Sequence, residues 1–254
     1  MIIAGGETLI NKIQNTNNKL IPLDSEHFSL INNKIKNDFV KKIYITASGG
    51  PFYFKKKINI NNVKLKDVLA HPKWKMGVNN SIDSSNFINK ILEIYELSVI
   101  YKINLDMIDF LVNRDAYIHS VIITRENIVN INCFDNNMLI TLISPLLEDY
   151  PNIELNFKST FLNLGKLKLE KFKDNRFKIY KYLNILKKFR PHQQVSFMIL
   201  NNIAQKKYLL GEIKYNYILD FIMTNLKKIK APKNFNTINQ RINFINSIIL
   251  KYEN

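Results

Sequence analysis

Lys42-Ile43-Tyr44-Ile45-Thr46-Ala47-Ser48-Gly49-Gly50-Pro51 is the stretch that decides the fold. Its first six residues alternate with period two, the pattern of a strand with one buried face. Ser48-Gly49-Gly50-Pro51 then stops the strand abruptly. Upstream, a short helix is expected from Glu7 to about Asn15, then an apolar strand at Lys19-Leu20-Ile21-Pro22-Leu23. Asp24-Ser25-Glu26 follows, and Phe28, Leu30, Ile31 and Ile35 fall at helical spacing. Downstream, Lys56 to Asn62 reads as a polar loop. A helix of about four turns is expected from Ser84 or Ser85 to Tyr101, with Ile88, Leu92, Tyr95 and Val99 as its apolar stripe. Met107 to Val112 reads as a strand, and Ser120 to Phe134, broken near Arg125-Glu126-Asn127, as a hairpin. A stretch with Pro151 and Gly165 leads to a Lys-rich helical tail from about Asn175. The fold class expected is therefore an α/β (α+β) unit with a central sheet, followed by a C-terminal helical bundle.

Composition narrows the function classes. The 254 residues are 46% hydrophobic and 23% charged, ordinary for a globular chain with a real core. No apolar run approaches the roughly 18 residues of a membrane-spanning helix, so no membrane partner is expected. Met1 to Glu7 lacks the pattern of a secretory leader, which points to the cytoplasm. Cys133 is the only cysteine, which excludes an intrachain disulfide and a cysteine zinc cluster. The net charge of +16 comes from 37 Lys and Arg against 21 Asp and Glu, a balance that suits nucleic acid. Arginine, the usual reader of bases, occurs only at Arg114, Arg125, Arg176, Arg190 and Arg241. The enrichment in Ile, Asn and Lys fits A/T-rich codons, so nucleic acid is not the expected partner, whereas an anionic small molecule remains open.

Four segments stand out for their chemistry. In extended backbone Asp24 and Glu26 point to one side at a strand's carboxyl end, where ligands of open α/β sheets gather. Two hard oxygen donors there suit Mg²⁺ or Mn²⁺; acidic residues at a helix start are the plainer alternative. Ser48-Gly49-Gly50 offers a hydroxyl and backbone N–H groups to an anion, or is simply a tight turn. In Ser84-Ser85-Asn86-Phe87-Ile88-Asn89-Lys90-Ile91-Leu92-Glu93, Asn89 and Glu93 share a helix face beside Lys90. Ser84, Asn89 and Lys90 would hold a phosphate and Glu93 would add a third carboxylate to a metal, unless this is a capped surface helix. His71-Pro72-Lys73-Trp74-Lys75-Met76-Gly77 carries the only Trp, as a lid over a substrate or as core.

The segments LDSEH, TASGGPF, HPKWKMG, IDSSNFINKILE and IHS, in this order, resemble 1-deoxy-D-xylulose-5-phosphate reductoisomerases of the non-mevalonate isoprenoid pathway. The resemblance covers essentially the whole chain, most strongly to about Ser120. It implies a metal-assisted rearrangement of 1-deoxy-D-xylulose 5-phosphate, then NADPH reduction to 2-C-methyl-D-erythritol 4-phosphate. It further implies Asp24, Glu26 and Glu93 as ligands of Mn²⁺ or Mg²⁺, and catalytic roles for Glu26, Glu93 and His119. Ser25, Glu26, Ser48, His71, Trp74, Ser84, Asn89, Lys90 and Glu93 would meet the phosphorylated sugar. Glu7, Met76 and Gly77 would lie near the nicotinamide. The chain departs from the family at Gly6, where an active-site Lys stands, and at Asn113-Arg114-Asp115-Ala116, where the family reads HPQS.

No G-x-G-x-x-G fingerprint follows a strand, so the N-terminal Rossmann-like domain is expected to be essentially absent. The expected organisation is 1–19 as its remnant, 20–150 as the metal- and substrate-binding domain, 151–174 as a linker and 175–254 as the helical domain. A separate nucleotide-binding polypeptide and a homodimer are the partners that this reading implies. The alternative is a non-catalytic relic that keeps the metal and sugar-phosphate sites.

Overall fold

The alternating residues around Ile43 form the central strand of the sheet. The structure, a computed structural model, describes residues 1–16, 18–33, 35–71, 76–147 and 167–253. Strand β1 (Val40–Ala47) lies between β2 (Ile108–Val112), parallel to it, and β3 (Ile118–Thr124), antiparallel. β4 (Val129–Cys133) and the short β5 (Glu170–Lys171) complete a mixed sheet in the order β4-β3-β1-β2-β5. Ile43 pairs with Ile108 and with Ile122, and Ala47 with Val112, so β1 and β2 end side by side. The expected hairpin is β3 and β4, turning at Asn127 with a positive φ of 64°.

The helices are α1 (Ile2–Gln14), α2 (Ser25–Phe28), α3 (Leu65–Val68), α4 (Val78–Asn86), α5 (Ile88–Tyr101), α6 (Met138–Leu147), α7 (Leu183–Leu186), α8 (Pro191–Leu209), α9 (Ile218–Leu226) and α10 (Ile238–Tyr252). α5 covers β1 and β2 and is covered in turn by α1, while α8 packs on α9 and α10. One hydrophobic cluster runs from Ile43 and Ile45 through Ile91, Ile94 and Tyr95 of α5 to Phe177, Val195, Leu200 and Ile222 of the tail.

Several expectations are corrected. Lys19 to Leu23 forms no strand: β2 and β3 already occupy both edges of β1, and Pro22 has no N–H to donate. The segment after Asp24 is helical only over Ser25–Phe28 and continues as turns. The polar loop at Lys56 to Asn62 ends in a 3₁₀ turn that buries Ile60. The first helix begins at Ile2 rather than Glu7 and kinks at Gly6, whose φ of 54° and ψ of −156° suit only glycine. The long helix from Ser84 is two helices broken at Phe87. Its buried stripe runs through Ile88, Ile91, Ile94 and Tyr95, with Leu92 and Val99 half-buried. α6, an apolar helix directly after the hairpin, was not expected.

Candidate active site

The end of β1, the start of β3, the α4–α5 junction and the segment around Asp24 enclose one cavity of about 320 Å³. Its floor begins at Thr46 and Ala47 and turns through Ser48-Gly49-Gly50. Gly50 is required there: φ is +56°, and a Cβ would come within 2.7 Å of the Ser84 carbonyl oxygen. That contact sets the strand turn against the last turn of α4. At the other side Phe87 takes the left-handed conformation, φ 67°. A non-glycine residue pays for this only if it is held, and Phe87 is 1% exposed, against Phe172 at 4.3 Å and Phe177 at 4.9 Å. Asn86 accepts the free N–H of Ile88 at 2.9 Å. The break lets Ser84 on α4 and Asn89, Lys90 and Glu93 on α5 line the same cavity.

Asp24 caps α2, its Oδ1 accepting from the N–H groups of Glu26 (3.1 Å) and His27 (3.3 Å). His27 is buried and donates from Nε2 to the Glu93 carbonyl at 3.0 Å, which ties the Asp24–Glu26 segment to α5. Asp24, Glu26 and Glu93 consequently present one carboxylate oxygen each, all within 4.8 Å of one another. Lys90 is the cation among them, bonded to Glu26 Oε1 and 2.6 Å from Glu93 Oε2. Ser25 donates to Glu26, and Asn89 to Glu93.

The electrostatics are those of a site short of positive charge. Burial raises the Glu93 carboxyl well above its ordinary value, and Glu26 and Asp24 push the same way against Lys90. Burial opposes ionisation of Glu26 too, but Lys90 and His119 outweigh it and bring Glu26 down to about 2. Burial works against the Lys90 ammonium, and Glu26 and Glu93 more than restore it. One ammonium faces three carboxylates, with the side chain of Asp24 39% exposed toward the opening. A divalent cation with oxygen ligands fits this donor set.

The remaining expected residues divide. Ser48 and His71 meet, Oγ to Nε2, at 3.1 Å, and burial, helped by Lys90, lowers His71 to about 4, so it is neutral near pH 7. His119 lines the cavity, stacked on Phe134 with ring centroids 3.8 Å apart. Met76 also lines it. Glu7 does not: it is exposed on α1, on the side facing Arg241. Gly77 is the exposed N-cap of α4 and does not line the cavity either. Trp74 lies outside the described residues. Sequence reasoning missed Asn80, Ala116 and Met138, which also line the cavity. Asn80 stands one helical turn before Ser84, a spacing that would have found it; Ala116 ends the stretch that departs from the family's HPQS, and Met138 carried no signal.

Residues 20–101 match the family model described as the 1-deoxy-D-xylulose 5-phosphate reductoisomerase C-terminal domain. The 1-deoxy-D-xylulose 5-phosphate reductoisomerase of Pelagibacter ubique is 32% identical over 91% of this chain. The chain is similar to this reductoisomerase family over most of its own length. A second reductoisomerase, from a Wolbachia of Drosophila simulans, is 29% identical over 95% of the chain. The chain spans 60% and 63% of the lengths of these two relatives. Solved reductoisomerase structures share the fold over 99% of the chain. One, in complex with NADPH, fosmidomycin and magnesium, has a TM-score of 0.85 at 21% identity. The enzyme from Zymomonas mobilis in complex with NADPH gives 0.83 at 23%. Each is matched over 65% of its own chain.

Proposed function

We propose that this chain supplies the metal- and substrate-binding half of a 1-deoxy-D-xylulose 5-phosphate reductoisomerase acting in the cytosol. The observation that carries the reading is the convergence of Asp24, Glu26 and Glu93 beside Ser48, His71, Ser84, Asn89 and Lys90 in one cavity. The carboxylates would hold Mn²⁺ or Mg²⁺, which polarises adjacent carbonyl and hydroxyl oxygens when bound. Ser25 and Glu26 would meet that end of the sugar, and Glu26, Glu93 and His119 would serve the rearrangement. Ser48, His71, Ser84 and Asn89 would receive the phosphate and hydroxyls. Lys90, freed from Glu26 and Glu93 once a divalent ion neutralises them, would turn its charge to the phosphate. Trp74 and Met76 would close over the substrate and exclude water.

NADPH would deliver the hydride. Of the residues expected beside its nicotinamide, Met76 reaches the cavity and Glu7 and Gly77 do not, so a nucleotide-binding unit beyond these residues, or a separate polypeptide, belongs to the proposal. Residues 20–150 would form the catalytic domain and 175–254 the helical one. The decisive assay is NADPH oxidation by the purified chain with Mn²⁺ and 1-deoxy-D-xylulose 5-phosphate, run beside fosmidomycin binding by calorimetry. Metal-dependent fosmidomycin binding is the expected result, with turnover only when the nucleotide-binding unit is added. Binding of neither ligand would overturn the reading. Gly6, with Arg241 filling the space above it, favours a second one: binding without turnover under any addition would make the chain a sugar-phosphate and metal module.

The same reading includes a homodimer. Among the described residues β4 has no partner on its outer side in the sheet, and Ile128, Val129 and Ile131 are more than half exposed. Such an edge attracts a second strand, and a copy of β4 related by a two-fold axis would cover it. Sedimentation is expected to give a dimer that Ile131→Lys converts to monomer. A monomeric parent chain would sink the dimer.

A further inference from the structure

Outside the cavity, the most unusual polar group is Asp83. It is 6% exposed on α4 and makes no ion pair among the described residues. Its partners come from α8: Asn201, fully buried, donates Nδ2 to Asp83 Oδ1 at 3.0 Å and to Oδ2 at 2.9 Å. Gln205, 1% exposed, also faces the carboxyl, and its Nε2 donates to the Asn79 carbonyl at 3.1 Å. The hydrogen-bond count does not close. Asn201 Oδ1 and Gln205 Oε1 are buried acceptors without a donor, beside a carboxylate that is itself only an acceptor. A proton on Asp83 gives this cluster one donor, enough for one of the two acceptors.

The placement of the cluster connects it to the site. α4 presents Asn80 and Ser84, four residues apart, to the cavity. Asn79 and Asp83, also four apart, stand on a neighbouring stripe of the same helix and meet α8. The segment that leads into α4 carries Met76, and Ser84 closes it against Gly50. We propose that Asp83 is a positioning residue: carrying a proton, it closes a clasp with Asn201 and Gln205 that holds α4 on α8 and thereby sets Asn80 and Ser84 in the cavity.

Burial raises the Asp83 carboxyl to about 7 against the pull of Asn201 and Gln205, so the clasp titrates near neutrality. Among the described residues the titratable group facing it is the phenol of Tyr215, with Tyr208 against Tyr215 and Asp67 of α3 beyond; burial raises both phenols, which are neutral here. The folded chain holds a proton that the unfolded chain releases at ordinary aspartate values. The stabilisation is thus full below about pH 4 and is lost as pH rises through about 7. An amide at position 83 would donate to Asn201 Oδ1 and accept from its Nδ2, reproducing the protonated clasp at every pH.

The test compares the parent chain with Asp83→Asn at about pH 6 and about pH 8.5. The first readout is hydrogen-exchange protection of the α4 amides, which needs no ligand and does not depend on the functional reading above. The parent chain is expected to lose protection at the higher pH, and Asp83→Asn to keep it. The second is fosmidomycin affinity with saturating Mn²⁺, which does rest on that reading. Affinity should fall with pH at least about threefold more in the parent chain than in the variant, while Mn²⁺ affinity falls alike in both. Asn201→Leu, which leaves the carboxyl without its donor, should weaken fosmidomycin and loosen α4 at both pH values. Identical protection profiles for the parent chain and Asp83→Asn would overturn the clasp. A clasp seen by exchange in a chain that ignores fosmidomycin would overturn the functional reading alone.

Discussion

Replacement of Glu93 by Gln is expected to weaken Mn²⁺ binding at least about 100-fold, because losing a ligand costs more than the 10–100-fold that outer partners of a metal ligand cost. Glu93 is 3% exposed and lies deepest of the three carboxylates. The amide keeps the shape, so Asn89 and the His27 tie to the Glu93 backbone stay in place. What is removed is one formal charge and the more basic oxygen, on a site whose affinity for a hard cation depends on both. Calorimetry or the paramagnetic signal of free Mn²⁺ reads the result directly. Unchanged affinity in a folded variant would take Glu93 out of the metal site.

Lys90→Met is expected to be the most destabilising change in the site when metal is absent. The side chains of Lys90, Glu26 and Glu93 are each 12% exposed or less, so removing the ammonium strands two buried carboxylates. Breaking a buried pair in this way costs about 3–5 kcal/mol. A divalent ion supplies the missing charge, and at a thousandfold excess over its dissociation constant it adds about 4 kcal/mol to any chain that binds it only when folded. The variant should therefore be strongly destabilised in chelator and gain more from Mn²⁺ than the parent chain does. Denaturant melts with and without Mn²⁺ give both numbers. An equal loss in the two conditions would mean that Lys90 is a packing residue and that the ion lies elsewhere.

The parts of the fold legible in the sequence were those with a strong period. Val40–Ala47, the β3–β4 hairpin and the helical tail follow directly from alternation and spacing. What failed depended on distant partners. Leu20 to Leu23 is apolar enough for a strand, but β1 has no edge left for it. The break at Phe87 has no local cause, since a Phe in the left-handed region is held there by Tyr53, Phe110, Phe172 and Phe177, all distant in sequence. The candidate site was more legible than the fold around it: Asp24, Ser48, Asn89 and Glu93 sit in short motifs and line one cavity. Glu7 and Gly77, expected near the nicotinamide, lie outside the cavity that the carboxylates line.

The arrangement of the sheet also bears on how the chain is made. β1 is the central strand, yet its first partner, β2, begins about sixty residues after it ends, and β3 follows later still. At about 5–20 residues per second, a ribosome takes several seconds to deliver Ile108 after Ala47. Throughout that interval Val40, Ile43 and Ile45, all fully buried in the finished sheet, have no ladder to join. The nascent chain thus carries an unsatisfied apolar strand, a natural client for a chaperone until residue 124 emerges and both neighbours can dock.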